Sequence, residues 1–317
     1  MIIVSTAKIS TKHQTRLRDA FTGHEFFFYA SKEEAYEHHL TQAEVLLTYG
    51  EDLTDVDIDQ MQQLKWIQVL SAGLDEMPWE ALQRHNILVT NAKGIHKIPM
   101  AEYTMGMMLQ LARRHYEFYD LQKAQTWDRS LRVDELYGKT IGILGVGAIG
   151  EEIAKRAKAF GMKVLGLRRS TSEGPTEVDD MIPIEEKSRL FEESDYVVVT
   201  LPHTKDTEHF ISSDELDQMK DTAYLINIGR GKVVDESALV TALKHHTIAG
   251  AVLDVYHQEP LPHNHPLWTL DNIILTPHVS GRSPLYMRRA LDIFEDNMRQ
   301  YPEVSQMRNV VALDRRY

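Results

Sequence analysis

The stretch Gly145-Val-Gly147-Ala-Ile-Gly150 constrains this 317-residue chain more than any other. It follows the apolar run Ile141-Gly-Ile-Leu144 without a gap, and the helical pattern Glu151–Phe160 opens directly behind it. Strand, glycine turn and helix in that order make the first βα unit of a dinucleotide-binding Rossmann domain. The first glycine permits the tight turn, the second lets backbone approach a pyrophosphate, and the third lets helix pack on strand. The helix start at Ala148 and Ile149 adds unpaired N–H groups and the positive end of a dipole, both suited to phosphate. A buried βα turn can be glycine-rich without a ligand. The further strand Lys163–Leu167, about 20 residues on, supplies the context the dinucleotide reading requires.

That next strand ends in Arg168-Arg169-Ser170. A site for NAD(H) usually places an acid here, to bind the ribose 2′-hydroxyl. Two guanidinium groups stand in its place, and arginine binds phosphate bidentately. NADP(H) is therefore the expected cofactor, with NAD(H) the alternative. A solvated arginine pair at a strand end also fits these residues.

The rest of the chain alternates strands and helices. Ile2–Val4, Glu25–Tyr29, Val45–Thr48, Trp66–Leu70 and Ile87–Thr90 read as strands, with helical spacing over Lys32–Leu40 and Asp55–Leu64. Pro99 suits the first turn of a Met- and Leu-rich helix over Ala101–Arg114. After the glycine run come strands at Tyr196–Leu201, Ala223–Ile228, Ala249–Asp254 and Ile273–Thr276, then a last helix over Pro284–Gln300. Alternation of this kind predicts α/β architecture, with parallel sheets covered on both faces.

Composition removes several classes. A formal charge of −12 is unlike a nucleic-acid scaffold, which needs a large basic face. There are no cysteines, so no disulfide, thiolate metal site or cysteine nucleophile is available, and no metal is expected. Met1-Ile-Ile-Val4 turns polar at once and reads as a strand rather than a signal-peptide core. No apolar run approaches the roughly 20 residues of a membrane helix, and a cytoplasmic protein without a membrane partner is expected.

Four motifs in order carry a resemblance: Gly145–Gly150, Leu225-Ile-Asn-Ile-Gly-Arg230-Gly231, Ala251-Val-Leu-Asp254 through Glu259-Pro260, and Thr276-Pro-His278-Val-Ser-Gly281. Together they resemble the D-isomer-specific 2-hydroxyacid dehydrogenases, most closely the glyoxylate/hydroxypyruvate reductase-like branch, over nearly the whole chain. The resemblance implies a Rossmann domain at 100–285, inserted into a flavodoxin-like α/β substrate domain made of 1–99 and 286–317. It also implies a homodimer, with the helix after Pro99 and its neighbour as the dimerisation arm. Core packing explains the Met and Leu residues of that helix as well.

The family's catalytic Arg, Glu and His fall on Arg230, Glu259 and His278. Arg230 and His278 both follow strands at the carboxyl end, where α/β sheets hold ligands. A bidentate cation binds the carboxylate of a 2-oxo acid and polarises its carbonyl, and His278 delivers the proton that ketone reduction requires. Glu259 is expected to orient His278 and to favour its protonated form. Taken singly, Arg230 could close a turn between two glycines, Glu259 could be a surface acid and His278 one histidine among fifteen. The resemblance places Pro202, Ile228, Arg230, Asp254 and His278 along the cofactor, Asp254 near the nicotinamide; a capping role for Asp254 stays open.

It also makes Arg230, His278, Ala72, Gly73 and Leu74 the substrate contacts, the carboxylate held by Arg230 and by the loop backbone, where Gly73 allows close approach. Asp75 beside them reads as a cap. Lys93 and His96 are candidate additional cations, or solvated loop residues, and the stretch around His96 departs from the usual family pattern. Arg282 and Tyr286 are further candidate substrate contacts. The expected activity is hydride transfer between a nicotinamide and C2 of a small anionic 2-oxo or D-2-hydroxy acid. A phosphoglycerate dehydrogenase-like NAD enzyme and a non-catalytic dinucleotide sensor are the alternatives, with formate and phosphite dehydrogenases further off.

Overall fold

The inner strands are short, apolar and buried on both sides, as in Val45–Thr48 and Tyr196–Val199, the pattern of a parallel sheet covered by helices. A computed structural model of the protein describes residues 1–74, 76–168 and 175–314. Its chain separates into two compact units, Met1–Ile95 with Ser283–Tyr317, and His96–Arg282.

The first unit holds a five-stranded, all-parallel sheet of β1 (Ile2–Ser5), β2 (Glu25–Phe28), β3 (Val45–Thr48), β4 (Trp66–Val69) and β5 (Leu88–Thr90). Its order is β2-β1-β3-β4-β5, the flavodoxin-like arrangement. Alternate side chains feed two cores. Val4, Leu46, Ile67 and Val89 pack on one face, while Ile3, Val45, Leu47 and Trp66 pack on the other. The chain's last helix, Tyr286–Gln300, covers the second face through Ala290, Leu291, Phe294 and Met298. The Phe294 and Trp66 rings lie 5.4 Å apart between centroids.

The second unit is a seven-stranded parallel sheet of β6 (Thr140–Leu144), β7 (Lys163–Leu167), β8 (Asp180–Ile182), β9 (Tyr196–Val199), β10 (Tyr224–Asn227), β11 (Gly250–Leu253) and β12 (Ile273–Leu275). The order is β12-β11-β10-β9-β6-β7-β8. This is the doubly wound Rossmann order, with one strand added at the far edge. The chain leaves β6 toward β7 and later returns to β9 on the other side, so the crevice for a ligand opens at the carboxyl ends of β6 and β9.

Three local expectations are adjusted. The pattern over Lys32–Leu40 resolves into a short helix, Lys32–Tyr36, and a 3₁₀ turn, Leu40–Gln42. The edge strand β8 has only three residues, too few for a periodic signal in the sequence. The helix after Pro99 starts earlier, at Lys97, and ends at Arg113. Arg114 takes a left-handed backbone conformation at φ 53°, and a separate helix, His115–Lys123, follows. Met100, Met105 and Met108 of the helix Lys97–Arg113 are buried in their own unit's core, with Met107 partly buried against it. Among the described residues no helix is long and apolar enough to cross a membrane.

Candidate functional site

The glycine turn sits at the carboxyl end of β6, and two of its glycines are demanded by protein contacts. Gly145 has φ 102°, and a Cβ on it would lie 2.8 Å from Thr200 Oγ1 across the switch point. A Cβ on Gly150 would lie 2.6 Å from the Gly145 carbonyl oxygen. Gly147 differs. It caps the helix Ala148–Ala159, and a Cβ there would meet no protein atom within 4 Å. A side chain at Gly147 would crowd only what approaches the helix start from outside. The first-turn N–H groups of Ala148, Ile149 and Gly150 lie at that same point. A bare helix N-terminus behind a Cβ-free approach fits a dinucleotide pyrophosphate.

The neighbouring strand ends against this turn, since the Leu167 carbonyl accepts hydrogen bonds from Gly145 N at 2.8 Å and Val146 N at 3.2 Å. Arg168 is thereby fixed beside the glycine loop, half-buried. Arg169 and Ser170 lie outside the described residues. On the other side of the switch point, Pro202 is exposed just past β9, and its carbonyl accepts from Thr207 Oγ1 at 2.7 Å. Ile228 is buried in the core, so only its backbone is available to a ligand.

Arg230 follows β10 and is exposed. Both flanking glycines are there for close backbone approach. A Cβ on Gly229 would lie 2.7 Å from the Leu201 carbonyl oxygen, and one on Gly231 would lie 2.1 Å from the Tyr256 carbonyl group. The buried side chain of Asn227 staples the turn. Its Oδ1 accepts from Gly229 N and its Nδ2 donates to the Arg230 carbonyl, each at 3.1 Å. The guanidinium donates to the Gly229 carbonyl at 2.9 Å, which spends one of its five N–H groups.

His278 and Glu259 meet. His278 Nδ1 lies 2.8 Å from Glu259 Oε2, and Glu259 Oε1 accepts from the Tyr256 backbone N–H at 3.1 Å. Both side chains are open to solvent, at 53% and 37%. The ring nitrogen facing the carboxylate is thereby set as the N–H-bearing one, which turns Nε2 outward as the exchangeable position. His278 itself has φ 53°, a conformation that non-glycine residues adopt only where their surroundings enforce it.

What enforces it is Asp254. This side chain is fully buried at the end of β11. It accepts from Thr276 Oγ1 at 2.5 Å, Val279 N at 2.8 Å and Ser280 N at 2.8 Å, so the loop that carries His278 is wound around one carboxylate. The capping alternative for Asp254 thus has its donors in place. The Tyr256 hydroxyl adds a bond to the Thr276 carbonyl at 2.8 Å, and burial pushes its pKa up.

In the first unit, Ser71-Ala-Gly-Leu74 leaves β4 as a loop whose carbonyls are tied down. Asn91 Nδ2 donates to the Ala72 carbonyl at 3.0 Å and Ser71 Oγ to the Gly73 carbonyl at 2.9 Å. Among the described residues no acceptor takes the N–H groups of Ala72, Gly73 or Leu74. Asp75 lies outside the described residues. Tyr286 belongs to this unit and donates its hydroxyl to the Leu70 carbonyl at 2.9 Å, with burial pushing its pKa up to about 12. Lys93 is exposed in the first unit, and Arg282 is exposed at the end of the second. His96, in the second unit, has Nδ1 3.2 Å from the Gly281 carbonyl. Asn227 and Asn91 are positioning residues that carry no signal of that role in the sequence. Each stands inside or beside a recognised motif, but its partner is a backbone atom that only folding identifies. No group of three or more His, Asp or Glu among the described residues could hold a metal ion.

Comparison with known proteins adds three kinds of finding. Residues 105–280 match the model of the D-isomer specific 2-hydroxyacid dehydrogenase NAD binding domain. The chain is 38% identical to glyoxylate reductase of Thermofilum pendens over 82% of its own length and 78% of the relative's. It is 37% identical to glyoxylate/hydroxypyruvate reductase B of Serratia proteamaculans, over 88% and 87%. Its fold superimposes on the NADPH-dependent glyoxylate/hydroxypyruvate reductase of Sinorhizobium meliloti, solved in complex with citrate, with TM-score 0.80, 26% identity and 98% coverage of both chains.

Proposed function

Starting from a chain that belongs to the D-isomer specific 2-hydroxyacid dehydrogenase family of NAD(P)-dependent oxidoreductases, we propose that it is a 2-oxo acid reductase of the glyoxylate/hydroxypyruvate type, forming the D-isomer where the product is chiral, with NADP(H) preferred over NAD(H). The observation that carries this reading is the His278–Glu259 pair at 2.8 Å, in the same unit as Arg230 and the glycine turn.

The residues divide the work. Gly147 and the N–H groups of Ala148–Gly150 would hold the pyrophosphate, and Arg168 with Arg169 and Ser170 the 2′-phosphate. The nicotinamide, when bound, supplies the hydride. Arg230 binds the substrate carboxylate and polarises the C2 carbonyl, so negative charge builds on an oxygen beside a fixed cation. His278 gives its Nε2 proton to that oxygen. It keeps its Nδ1–H on Glu259, so the neutral ring is left in one tautomer, ready to be protonated again. The backbone N–H groups of Ala72, Gly73 and Leu74 are assigned to the substrate's anionic group, because nothing described in their own unit accepts them. The preference for NADP(H) rests on the charge at Arg168 and Arg169 and is supported by the NADPH dependence of the Sinorhizobium relative. We assign a homodimer as well. Its support is the exposure of Tyr116 and Tyr119 on the helix His115–Lys123 and of Trp127 and Tyr137 between that helix and β6.

The test is the oxidation of NADPH and NADH with glyoxylate, hydroxypyruvate, 3-phosphohydroxypyruvate and longer 2-oxo acids. NADPH with the two small acids is expected to be fastest. His278→Ala should lower kcat by roughly 10²- to 10⁴-fold at unchanged cofactor affinity. Arg168→Ala should weaken NADPH roughly tenfold or more and leave NADH alone. Tight cofactor binding without turnover of any 2-oxo acid would move the protein to the dinucleotide-sensing class. Equal loss of NADPH and NADH in the Arg168 variant would defeat the 2′-phosphate assignment.

A further inference from the structure

The loop that carries His278 is backed by a hydroxyl from a distant helix. Tyr103 lies on the helix Lys97–Arg113, one turn and a half in, and its hydroxyl oxygen is 2.6 Å from Thr276 Oγ1. Thr276 has a single hydroxyl proton and spends it on Asp254 Oδ1. Tyr103 is therefore the donor to Thr276. Burial pushes its pKa up to about 12, so the phenol keeps that proton throughout the range in which an enzyme of this kind works.

The result is a one-way chain of donors, Tyr103 to Thr276 to Asp254, which meets the Val279 and Ser280 N–H groups on the same buried carboxylate. The Thr276 hydroxyl is the one side-chain donor of the three on Asp254, and it ties the start of the loop to the carboxylate that holds Val279 and Ser280. Without the Tyr103 hydroxyl, Thr276 Oγ1 loses the donor that occupies its lone pair, and only its own bond to Asp254 orients that side chain. The same helix touches the loop's other end, where its N-cap residue His96 contacts the Gly281 carbonyl. A Cβ on Gly281 would lie 2.9 Å from His96 Nδ1, so glycine is what lets the two approach. The left-handed His278 thus sits between two anchors, at Thr276 and Gly281, both supplied by one helix and its cap.

We infer that Tyr103 is a positioning residue for His278, acting through Thr276 and Asp254. The inference rests on the assignment of His278 as proton donor made above. Tyr103→Phe keeps the ring and removes the hydroxyl alone. Losing one hydrogen bond of this kind should lower kcat roughly 3- to 10-fold, with KM for the cofactor unchanged. The Cε1–H resonance of His278 should also shift in the cofactor-free, ¹³C-histidine-labelled protein, the resonance being assigned by its loss in His278→Gln. Thr276→Val should reproduce both effects and Thr276→Ser should restore them. The double variant Tyr103→Phe/Thr276→Val should fall no further than Thr276→Val alone. A Tyr103→Phe protein with wild-type kcat and an unmoved His278 resonance would overturn the inference, as would a loss confined to KM. Wild-type protein that turns over no 2-oxo acid would instead refute the proton-donor assignment, while a shifted resonance would still show the hydroxyl holding the loop.

Discussion

Between Arg230 and Lys232 there is no room for a side chain, because a Cβ on Gly231 would press to 2.1 Å against the Tyr256 carbonyl group. Gly231 is therefore where the turn that carries Arg230 and the turn that carries Glu259 touch, backbone to backbone. Gly231→Ala must push them apart. The expected cost is about 1–3 kcal/mol of stability by urea unfolding. The expected fall in kcat is on the order of 10²-fold, since displacements near 1 Å at a reacting group have that effect. A variant with full activity would mean that this contact does not set the spacing of Arg230 and Glu259. At this scale the chemical groups were legible: Arg230, Glu259 and His278 stand in short motifs that name themselves. Their supports were not. Asn227, Tyr103 and Thr276 act through one or two hydrogen bonds each, and Tyr103 meets Thr276 across 173 positions of sequence. Asp254 was read as a nicotinamide contact or a cap, and only the folded loop brings three donors onto its carboxylate.

The helix Tyr286–Gln300 poses the same question for an element. Its apolar positions recur at helical spacing, so its existence and its buried face follow from the order of residues. Nothing in that order says which sheet the face covers. Phe294, fully buried against Trp66, answers it: the last helix completes a core begun more than two hundred residues earlier. Phe294→Ala should remove about 3–5 kcal/mol from the unit that contains β1–β5, as expected for truncating a buried aromatic. Guanidinium unfolding followed by tryptophan fluorescence measures this, with Trp66 stacked on Phe294 as a local reporter. A loss under about 1 kcal/mol would show that the helix is not what seals that face. The three-residue strand β8 was illegible for the opposite reason: it is held by pairing with β7 and not by any pattern of its own.

For the molecule as a whole, the dimer assignment gives a prediction at its own scale. Trp127 is 92% exposed and Tyr137 77%, unusual for side chains whose burial is so favourable. Sedimentation velocity should find the wild-type protein at twice the chain mass, and Trp127→Glu/Tyr137→Glu should shift it to the monomer with the fold intact by circular dichroism. A dimer that survives the double change would place the contact elsewhere. The order of residues by itself determined what depends on near neighbours: strands alternating with helices, the turn that only glycine can make at Gly145, a helix start bare enough for phosphate, and three residue types apt for ketone reduction. Tertiary structure alone decided which groups meet. Glu259 faces His278, Asp254 gathers the loop around it, and Tyr103 backs Thr276, because these residues come from the ends of different strands and from a separate helix. Strand order in a parallel sheet is set by long crossovers packing on two faces, and no local stretch of sequence encodes that choice.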